Sequence, residues 1–476
     1  MTSLPVLSPP PGDQLGPYWN DAVCRELPTL REAFDLDRMR TALDAVLGDG
    51  RGGVVRCHAP SATYMPGVGC TLRYRIELAS GGAEPELTVV TARLFPSDRL
   101  ATQYFAARLA PLATRLAGRT PGGSLPASAA LMHDLRMTAA LFPLDGELPT
   151  LVDAADPTVV SELLSRDVFA RQRLIDVRLG HYGRGRRCVL RYLVSEPGGG
   201  GRELIGKVVA DGSAAHAHQV LRALTADRGE NPARLLRVPA TLGYHHHLRL
   251  LLLESVSGMA LCSARVKSHL RGDQPQPHQA ADEVASCARI AASLHRCSVD
   301  AGRQRAAGGD LRTLQRSTMR IRAVSPQLGE RLLDRLHAVR ERLSRSTPLP
   351  PGLCHGDFKL NQIIGEGPRR SLIDLDTACW AEPALDLGQF LAYLRLKAID
   401  LGGTGLVDDL CGIFMHAYVE SRGWPGGEIP RLEERTASYE ALSLLSRAVH
   451  SWYKFKPERL QASLTLLDER LSCAPR

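Results

Sequence analysis

His355-Gly356-Asp357 follows a Pro-Pro-Gly turn, Gln362 lies five residues beyond Asp357, and Asp374 follows the apolar pair Leu372-Ile373. Short strands flanking a tight loop would bring two carboxylates and a side-chain amide to one place. That set suits phosphoryl transfer. One carboxylate accepts the proton of an attacking hydroxyl, while a second carboxylate and a neutral oxygen hold magnesium on nucleotide phosphates.

Upstream, Lys207 follows Leu204 and Ile205 and precedes Val208 and Val209, so it belongs to a strand. A lysine amid apolar strand residues needs an anionic partner. It is also the first lysine in a chain that otherwise uses arginine as its cation; the others are Lys267, Lys359, Lys397, Lys454 and Lys456. A site that keeps lysine favours a compact ammonium over a planar fork. Gly180, Gly183 and Gly185 lie between two strand-like runs, where backbone amides can approach phosphates.

The elements that must position these residues are legible in outline. Residues 20–47 carry helical spacing. YMPGVGCTLRYRIELA and ELTVVTARLF alternate apolar and polar residues as paired strands do, and a helical stretch and the strand-like DLRMTAALFPL follow. The order then recurs in VRLGHYGRGRRCVLRYLVSE, ELIGKVVAD, SAAHAHQVLRALTAD and YHHHLRLLLLESV. Cys70-x-Leu72-Arg73-Tyr74 matches Cys188-x-Leu190-Arg191-Tyr192, which indicates an internal duplication, with Arg93 where the second copy has Lys207. From about residue 260 the pattern is helical, interrupted by the segment that holds Asp357 and Asp374.

HGDFKLNQII, LIDLD and PALDLGQFLAYL together resemble the catalytic and metal-binding segment of the aminoglycoside phosphotransferase and choline kinase superfamily, over about residues 170–476. The resemblance implies an α+β, protein-kinase-like bilobal fold, with an antiparallel-sheet N-lobe and a helical C-lobe. An additional N-terminal α+β cap module resembles a degenerate N-lobe. It implies an ATP- and Mg²⁺-dependent phosphotransferase that moves the γ-phosphate to a hydroxyl of an aminoglycoside, sugar or amino alcohol. Asp357 would be the catalytic base, with Lys359 near the γ-phosphate, as in many protein kinases. Asp374 would be the main metal ligand and Asp386 the carboxylate that buttresses the loop. His355 would orient rather than react.

The family places Asn at the second metal position; here Gln362 occupies it and Asn361 is one residue early, so both are candidates and the register of QII favours Gln362. A glutamine there, and the cap, resemble maltokinases. Lys207 and the Gly180–Gly185 hairpin would hold phosphates, and the backbone around Glu254 and Val256 would hold the adenine edge. The helix after Lys207 lacks the glutamate that kinases pair with that lysine, which leaves a non-catalytic, kinase-shaped binding protein as a reading of another class.

Composition narrows the rest. The 476 residues carry a net charge of +8, from 59 basic and 51 acidic side chains, with no basic block and no nucleic-acid-binding motif. No apolar run is long enough to span a bilayer, and the N-terminus lacks the pattern of a signal peptide. A cytoplasmic protein acting on a small hydroxylated molecule, with neither nucleic acid nor membrane as partner, is the expectation. The sequence carries no signature of oligomeric state. Eleven scattered cysteines fit buried thiols in a reducing compartment. The expected division is a lead with helices at 1–45, the degenerate cap at 46–160, the nucleotide-binding lobe at 161–256 and the catalytic lobe at 257–476. His245–His247 reads as a turn, Trp452 and Tyr453 as packing residues, and Asp400, Asp408 and Asp409 as helix acids that could alternatively face a cationic substrate.

Overall fold

A computed structural model describes residues 18, 20–47, 53–80, 83–118, 128–164, 173–183, 186–195, 200–226, 236–256, 258, 261–273, 277–365 and 370–472. Within them the chain forms two antiparallel sheets followed by a helical lobe, an α+β architecture.

Helices α1 (Asp21–Glu26) and α2 (Leu36–Leu47) come first. Asn20 caps α1, its side chain accepting from the amides of Ala22 and Val23, which have no partner inside the helix. The first sheet comprises β1 (Val54–Cys57), β2 (Ser61–Met65), β3 (Gly69–Ser80), β4 (Ala83–Leu94), β5 (Ala129–Met132) and β6 (Met137–Leu141). Its order is β1-β3-β4-β6-β5, with β2 also on β3. Helices α3 (Asp98–Tyr104) and α4 (Ala110–Ala117) connect β4 to β5. Two short helices, α5 (Leu151–Ala154) and α6 (Pro157–Leu164), lead to the second sheet. That sheet has β7 (Leu174–Tyr182), β8 (Arg187–Ser195), β9 (Gly201–Val209), β10 (Thr241–His245) and β11 (Leu250–Glu254), in the order β10-β11-β9-β8-β7. Helix α7 (Ser213–Ala226) follows β9.

The duplication extends from sequence to register. Cys70, Leu72 and Tyr74 on β3 are buried, as are Cys188, Leu190 and Tyr192 on β8, because alternate residues of a strand share one face. On β4, Arg93 pairs with Thr71 of β3 and Thr138 of β6. On β9, Lys207 pairs with Val189 of β8 and Leu251 of β11. Thr71 and Val189 directly follow the two matching cysteines, so Arg93 and Lys207 are equivalent by pairing as well as by alignment. The turns before β6 and β11 both place an arginine at positive φ, Arg136 at 51° and Arg249 at 49°.

A second sequence match accompanies the first. Glu26-Leu27-Pro28-Thr29-Leu30 reappears as Glu147-Leu148-Pro149-Thr150-Leu151. Its consequence is the same in both copies. The Tyr74 hydroxyl donates to the carbonyl of Ala33 at 2.5 Å, and the Tyr192 hydroxyl to that of Ala154 at 2.7 Å. Each tyrosine thus anchors its sheet to the helical turn in or just after Glu-Leu-Pro-Thr-Leu, which puts the helical segment that follows Leu30 inside the repeated unit. Arg93 is spent on structure. It donates to Glu147 at 2.9 Å and lies over the ring of Tyr104.

The helical lobe contains α8 (Leu261–Leu270), α9 (Pro277–His295), α10 (Ala307–Val324), α11 (Pro326–Arg345), α12 (Ala384–Leu401), α13 (Val407–Arg422), α14 (Ile429–Tyr453) and α15 (Pro457–Ser472). Between α11 and α12 run the short strands β12 (Gly352–Cys354), β13 (Ile363–Ile364), β14 (Ser371–Leu372) and β15 (Cys379–Ala381). They pair as β12-β15 and β13-β14, so a small hairpin is nested within an outer strand pair, with the polar residues in the connections between the two pairs. Phe390 stacks on Phe414 with ring centroids 4.0 Å apart, joining α12 to α13. The first sheet docks on the far end of α14. Tyr64 lies 5.7 Å from both Trp452 and Phe455, so Trp452 is a packing residue. His246 and His247 lie in the β10–β11 turn. Among the described residues, no helix is long and apolar enough to cross a membrane.

Candidate active site

The loop after β12 is fixed from below by Asp386, which is wholly buried at the start of α12. Its carboxylate accepts from the amides of His355 at 2.6 Å and Gly356 at 2.8 Å, and lies 3.1 Å from His295 Nε2. Burial pushes the Asp386 carboxyl up, but the His295 hydrogen bond, the nearby imidazoles and the backbone amide of His355 outweigh it and hold the group below the usual carboxylate range. Gly356 has φ of 78°, and a Cβ there would sit 2.3 Å from the Thr377 carbonyl, so only glycine fits where the two connections between the strand pairs meet. The His355 ring bridges them as well, with Nε2 2.9 Å from the Ile373 carbonyl and Nδ1 accepting from the Asp357 amide at 3.2 Å.

Asp386→Asn is therefore expected to destabilise the protein by about 3–5 kcal/mol, the range for breaking a buried charged pair. The new NH₂ would face one of three donors. A carboxyl whose pKa is depressed on folding contributes stability above its unfolded value, and that contribution is lost as pH falls through the folded value. The wild-type advantage over Asp386→Asn in denaturant melts should hold at neutral pH and shrink on strong acidification.

Above this base, Asp357, Lys359, Asp374 and Gly183 line one open cleft of about 750 Å³ between the second sheet and the helical lobe. Asp374 takes left-handed backbone, φ 68° and ψ 48°, which an aspartate tolerates better than most residues. Lys207 reaches down from β9 to Asp374 Oδ1 at 2.7 Å and Asp376 Oδ1 at 3.0 Å. Arg187, at the start of β8, donates to Asp374 Oδ1 at 3.0 Å and to Asp376 Oδ2 at 3.0 Å. Burial raises the Asp374 carboxyl, but Lys207 and Arg187 more than offset it and hold the group far below the carboxylate range. Gln362 places its amide 3.3 Å from Asp374 Oδ2 and 3.5 Å from Asp357 Oδ2. Lys359 Nζ lies 2.5 Å from Asp357 Oδ2.

Not every expected residue converges here. Asn361 turns away. Its Oδ1 accepts from Ser263 at 2.6 Å and Tyr393 at 3.2 Å, because the 3₁₀ turn at Leu360–Gln362 points successive side chains in different directions. Gly180 lies within β7, at a shift of register between Leu179 and His181, rather than in the loop, and it does not line the cleft. Gly185 lies outside the described residues. The Glu254 carboxylate pairs with Arg202 and its amide donates to Ala240, and neither Glu254 nor Val256 lines the cleft. Asp400 pairs with Lys397 and Arg459, Asp408 pairs with Arg395, and Asp409 is exposed; none of the three lines the cleft.

Sequence reading missed two central residues. Asp376 is the second acid of LIDLD, a signal present in the string itself. Arg187 could have been found from strand pairing, since Arg187 faces Val209 and Val189 faces Lys207, which puts Arg187 and Lys207 on one sheet face. The glutamate missing from α7 has no replacement on that helix. Asp374 and Asp376 hold Lys207 instead, and α7 is tied to the lower lobe by His216, whose Nε2 lies 2.7 Å from the Ala378 carbonyl.

A model of the phosphotransferase enzyme family matches residues 189–424, from β8 to just beyond α13. Over that span the chain is similar to the phosphotransferase enzyme family. This agrees with the superfamily of aminoglycoside phosphotransferases and choline kinases that the motifs resemble, and phosphoryl transfer to a small molecule is the activity that goes with it. Similar solved structures include a Plasmodium vivax ethanolamine kinase, 13% identical, covering 65% of this chain and 85% of that one, with a TM-score of 0.47. A choline kinase from Streptococcus pneumoniae is 14% identical, covering 66% and 99%, with a TM-score of 0.45. One from Cryptosporidium parvum is 10% identical, covering 66% and 94%, with a TM-score of 0.48. No curated protein matches the sequence.

Proposed function

We propose that the protein transfers the γ-phosphoryl group of ATP to a hydroxyl of a small molecule and requires magnesium. The observation that carries this reading is the convergence of Asp357, Asp374 and Asp376 on one cleft beneath Lys207 and Arg187, with the buried Gln362 in contact with both Asp357 and Asp374. Two carboxylates and an amide oxygen form a hard-oxygen donor set, which suits Mg²⁺. Asp374, Asp376 and Gln362 would hold the ion, Gln362 through its amide oxygen after a flip of the side chain. When bound, the ion supplies charge neutralisation on the phosphates.

The chain's own groups do the rest. Asp357 takes the proton from the acceptor hydroxyl at its carboxylate. Lys359, 2.5 Å away, orients that carboxylate. Lys207 and Arg187 exchange carboxylate oxygens for phosphate oxygens and fix the nucleotide in line. The Asp386 network holds the base while the acceptor attacks. The Gln362 position also supports a maltokinase-like sugar kinase as a narrower reading.

The reading is tested by nucleotide-dependent thermal stabilisation followed by ATP consumption against sugars, aminoglycosides and amino alcohols. Magnesium titrations of turnover should be shifted to higher concentration in Gln362→Ala, by about tenfold for one lost charge-assisted contact. Asn361→Ala should follow the wild-type magnesium curve, since its oxygen already serves Ser263 and Tyr393. The reverse ranking would reassign the ligand. Absence of any nucleotide-dependent stabilisation would overturn the whole reading.

A further inference from the structure

The cleft continues past Asp357 to a wall built by α10, α14 and the segment that precedes α10. Its charges are unlike those a cationic acceptor needs. Arg303, Arg305 and Arg447 line this part; Asp310 is the carboxylate on the same wall, and Asp211 across the cleft lies near enough to Arg303 to act on it. The Asp310 carboxylate is itself clamped by Arg305, whose Nε donates to its two oxygens at 3.0 and 3.1 Å. Arg303 is exposed to the cleft and gives one hydrogen bond, at 3.3 Å, to the Asp376 carbonyl. Arg447 stands 5.9 Å over the Tyr393 ring. Arginine stays charged at every accessible pH. The formal charge of the wall is positive before any ligand enters.

Two further observations point the same way. Tyr439 is the one tyrosine, tryptophan or phenylalanine lining the cleft among the described residues, and its hydroxyl is held by Glu382 at 2.9 Å. A quaternary ammonium group would want several aromatic faces. The polar lining of this wall also includes the His450 ring and the hydroxyls of Thr313, Ser443 and Ser446, which are suited to hydrogen-bonding a hydroxylated molecule.

Resting on the phosphotransferase reading above, we infer that the acceptor is a hydroxylated small molecule that also carries an anionic group, a carboxylate or a phosphate, gripped by Arg303 and Arg447 while its hydroxyl meets Asp357. In the reaction the acceptor oxygen bonds to the γ-phosphorus and its proton passes to Asp357. The bond to the bridging oxygen breaks, and ADP leaves with that electron pair. Guanidinium groups suit both carboxylate and phosphate oxygens, since their N–H fork matches either.

The test uses the full chain saturated with magnesium and a non-hydrolysable ATP analogue, with thermal stabilisation as the readout. Three sets of compounds are titrated on matched carbon skeletons. Glycerate and gluconate form a carboxylate arm, and glycerol 3-phosphate and glucose 6-phosphate a phosphate arm. Glycerol and glucose form the neutral set, and serinol, glucosamine and kanamycin the cationic set. At least one anionic arm is expected to half-saturate at concentrations tenfold or more below the neutral and cationic sets, and the better arm identifies the anion. Arg447→Gln and Arg303→Gln are each expected to raise that concentration about tenfold, the scale of one charged hydrogen bond, with binding of the magnesium–nucleotide analogue as the folding control. Equal or stronger stabilisation by the neutral or cationic sets, or none by the anionic arms, would overturn the inference and leave the phosphotransferase reading standing. Failure of the magnesium–nucleotide analogue to stabilise the protein would instead strike that reading, and the inference with it.

Discussion

Asp357→Asn is expected to fold and to bind the magnesium–nucleotide normally, yet to turn over about 10²–10⁴-fold more slowly, the usual range for loss of a general base. The loop does not depend on the Asp357 carboxylate for its shape. Its backbone is held by Asp386 through the amides of His355 and Gly356, by His355 Nδ1 through the amide of Asp357, and by Gln389, which accepts from the Phe358 amide at 3.1 Å. The asparagine keeps the size of the side chain but cannot take a proton from the acceptor hydroxyl. It also releases Lys359, whose partner at 2.5 Å loses its charge. The loss should therefore fall on kcat, with the nucleotide KM little changed, because the residues near the phosphates are Lys207 and Arg187 on the other lobe. Steady-state kinetics with single-turnover controls check this. Near-normal kcat would remove Asp357 from the chemistry.

What was legible in the sequence follows from how local each signal is. His355, Gly356, Asp357 and Asp374 lie within one short stretch, and two nested strand pairs of two or three residues per strand bring them together. Spacing alone therefore foretold their meeting. Lys207 was legible because a cation inside an apolar strand has no bland explanation. Arg187 was not, since it is one of several arginines in a hairpin and only the pairing of β8 with β9 shows which one shares a face with Lys207. Asn361 and Gln362 differ by one step of a 3₁₀ turn; the hydrophobic register after Gln362 favoured it, and the turn itself shows why Asn361 points elsewhere.

The duplication was visible in Cys-x-Leu-Arg-Tyr, where strand alternation fixes the same faces in both copies. The Glu-Leu-Pro-Thr-Leu match lies in connecting segments, just after α1 in one copy and just before α5 in the other, and carries no periodic pattern. Its meaning appeared only when Tyr74 and Tyr192 were seen to reach equivalent carbonyls. The acids at 400, 408 and 409 were open to a substrate role until their pairing with Lys397, Arg459 and Arg395, and their distance from the cleft lining, became visible.

Asp374→Asn should show an inversion that no merely structural role would produce. In the wild-type protein Asp374 is the shared anion of Lys207 and Arg187, at 2.7 and 3.0 Å, with Asp376 as the second. A nucleotide entering without magnesium must compete with Asp374 for both cations while its phosphates meet two carboxylates of like charge. The isosteric amide removes one of those carboxylates and loosens both cations. Metal-free ATP is then expected to bind the variant about tenfold more tightly than the wild type, the scale of one charge-assisted hydrogen bond. Magnesium should have the opposite effect, since the variant lacks the charged oxygen that would hold the ion. Turnover should fall by about 10²–10⁴-fold, matching the several kcal/mol that a metal ion contributes to phosphoryl transfer.

Titrations of ATP with and without magnesium, read by fluorescence or calorimetry, separate the two effects. A variant that kept the wild-type gain from magnesium would place the ion elsewhere. One that bound metal-free ATP more weakly would show that Asp374 positions Lys207 and Arg187 for the phosphates rather than competing for them. Asp376→Asn is the matched control. It is also bonded to both cations but more deeply buried, so it should weaken folding more and shift metal-free affinity in the same direction.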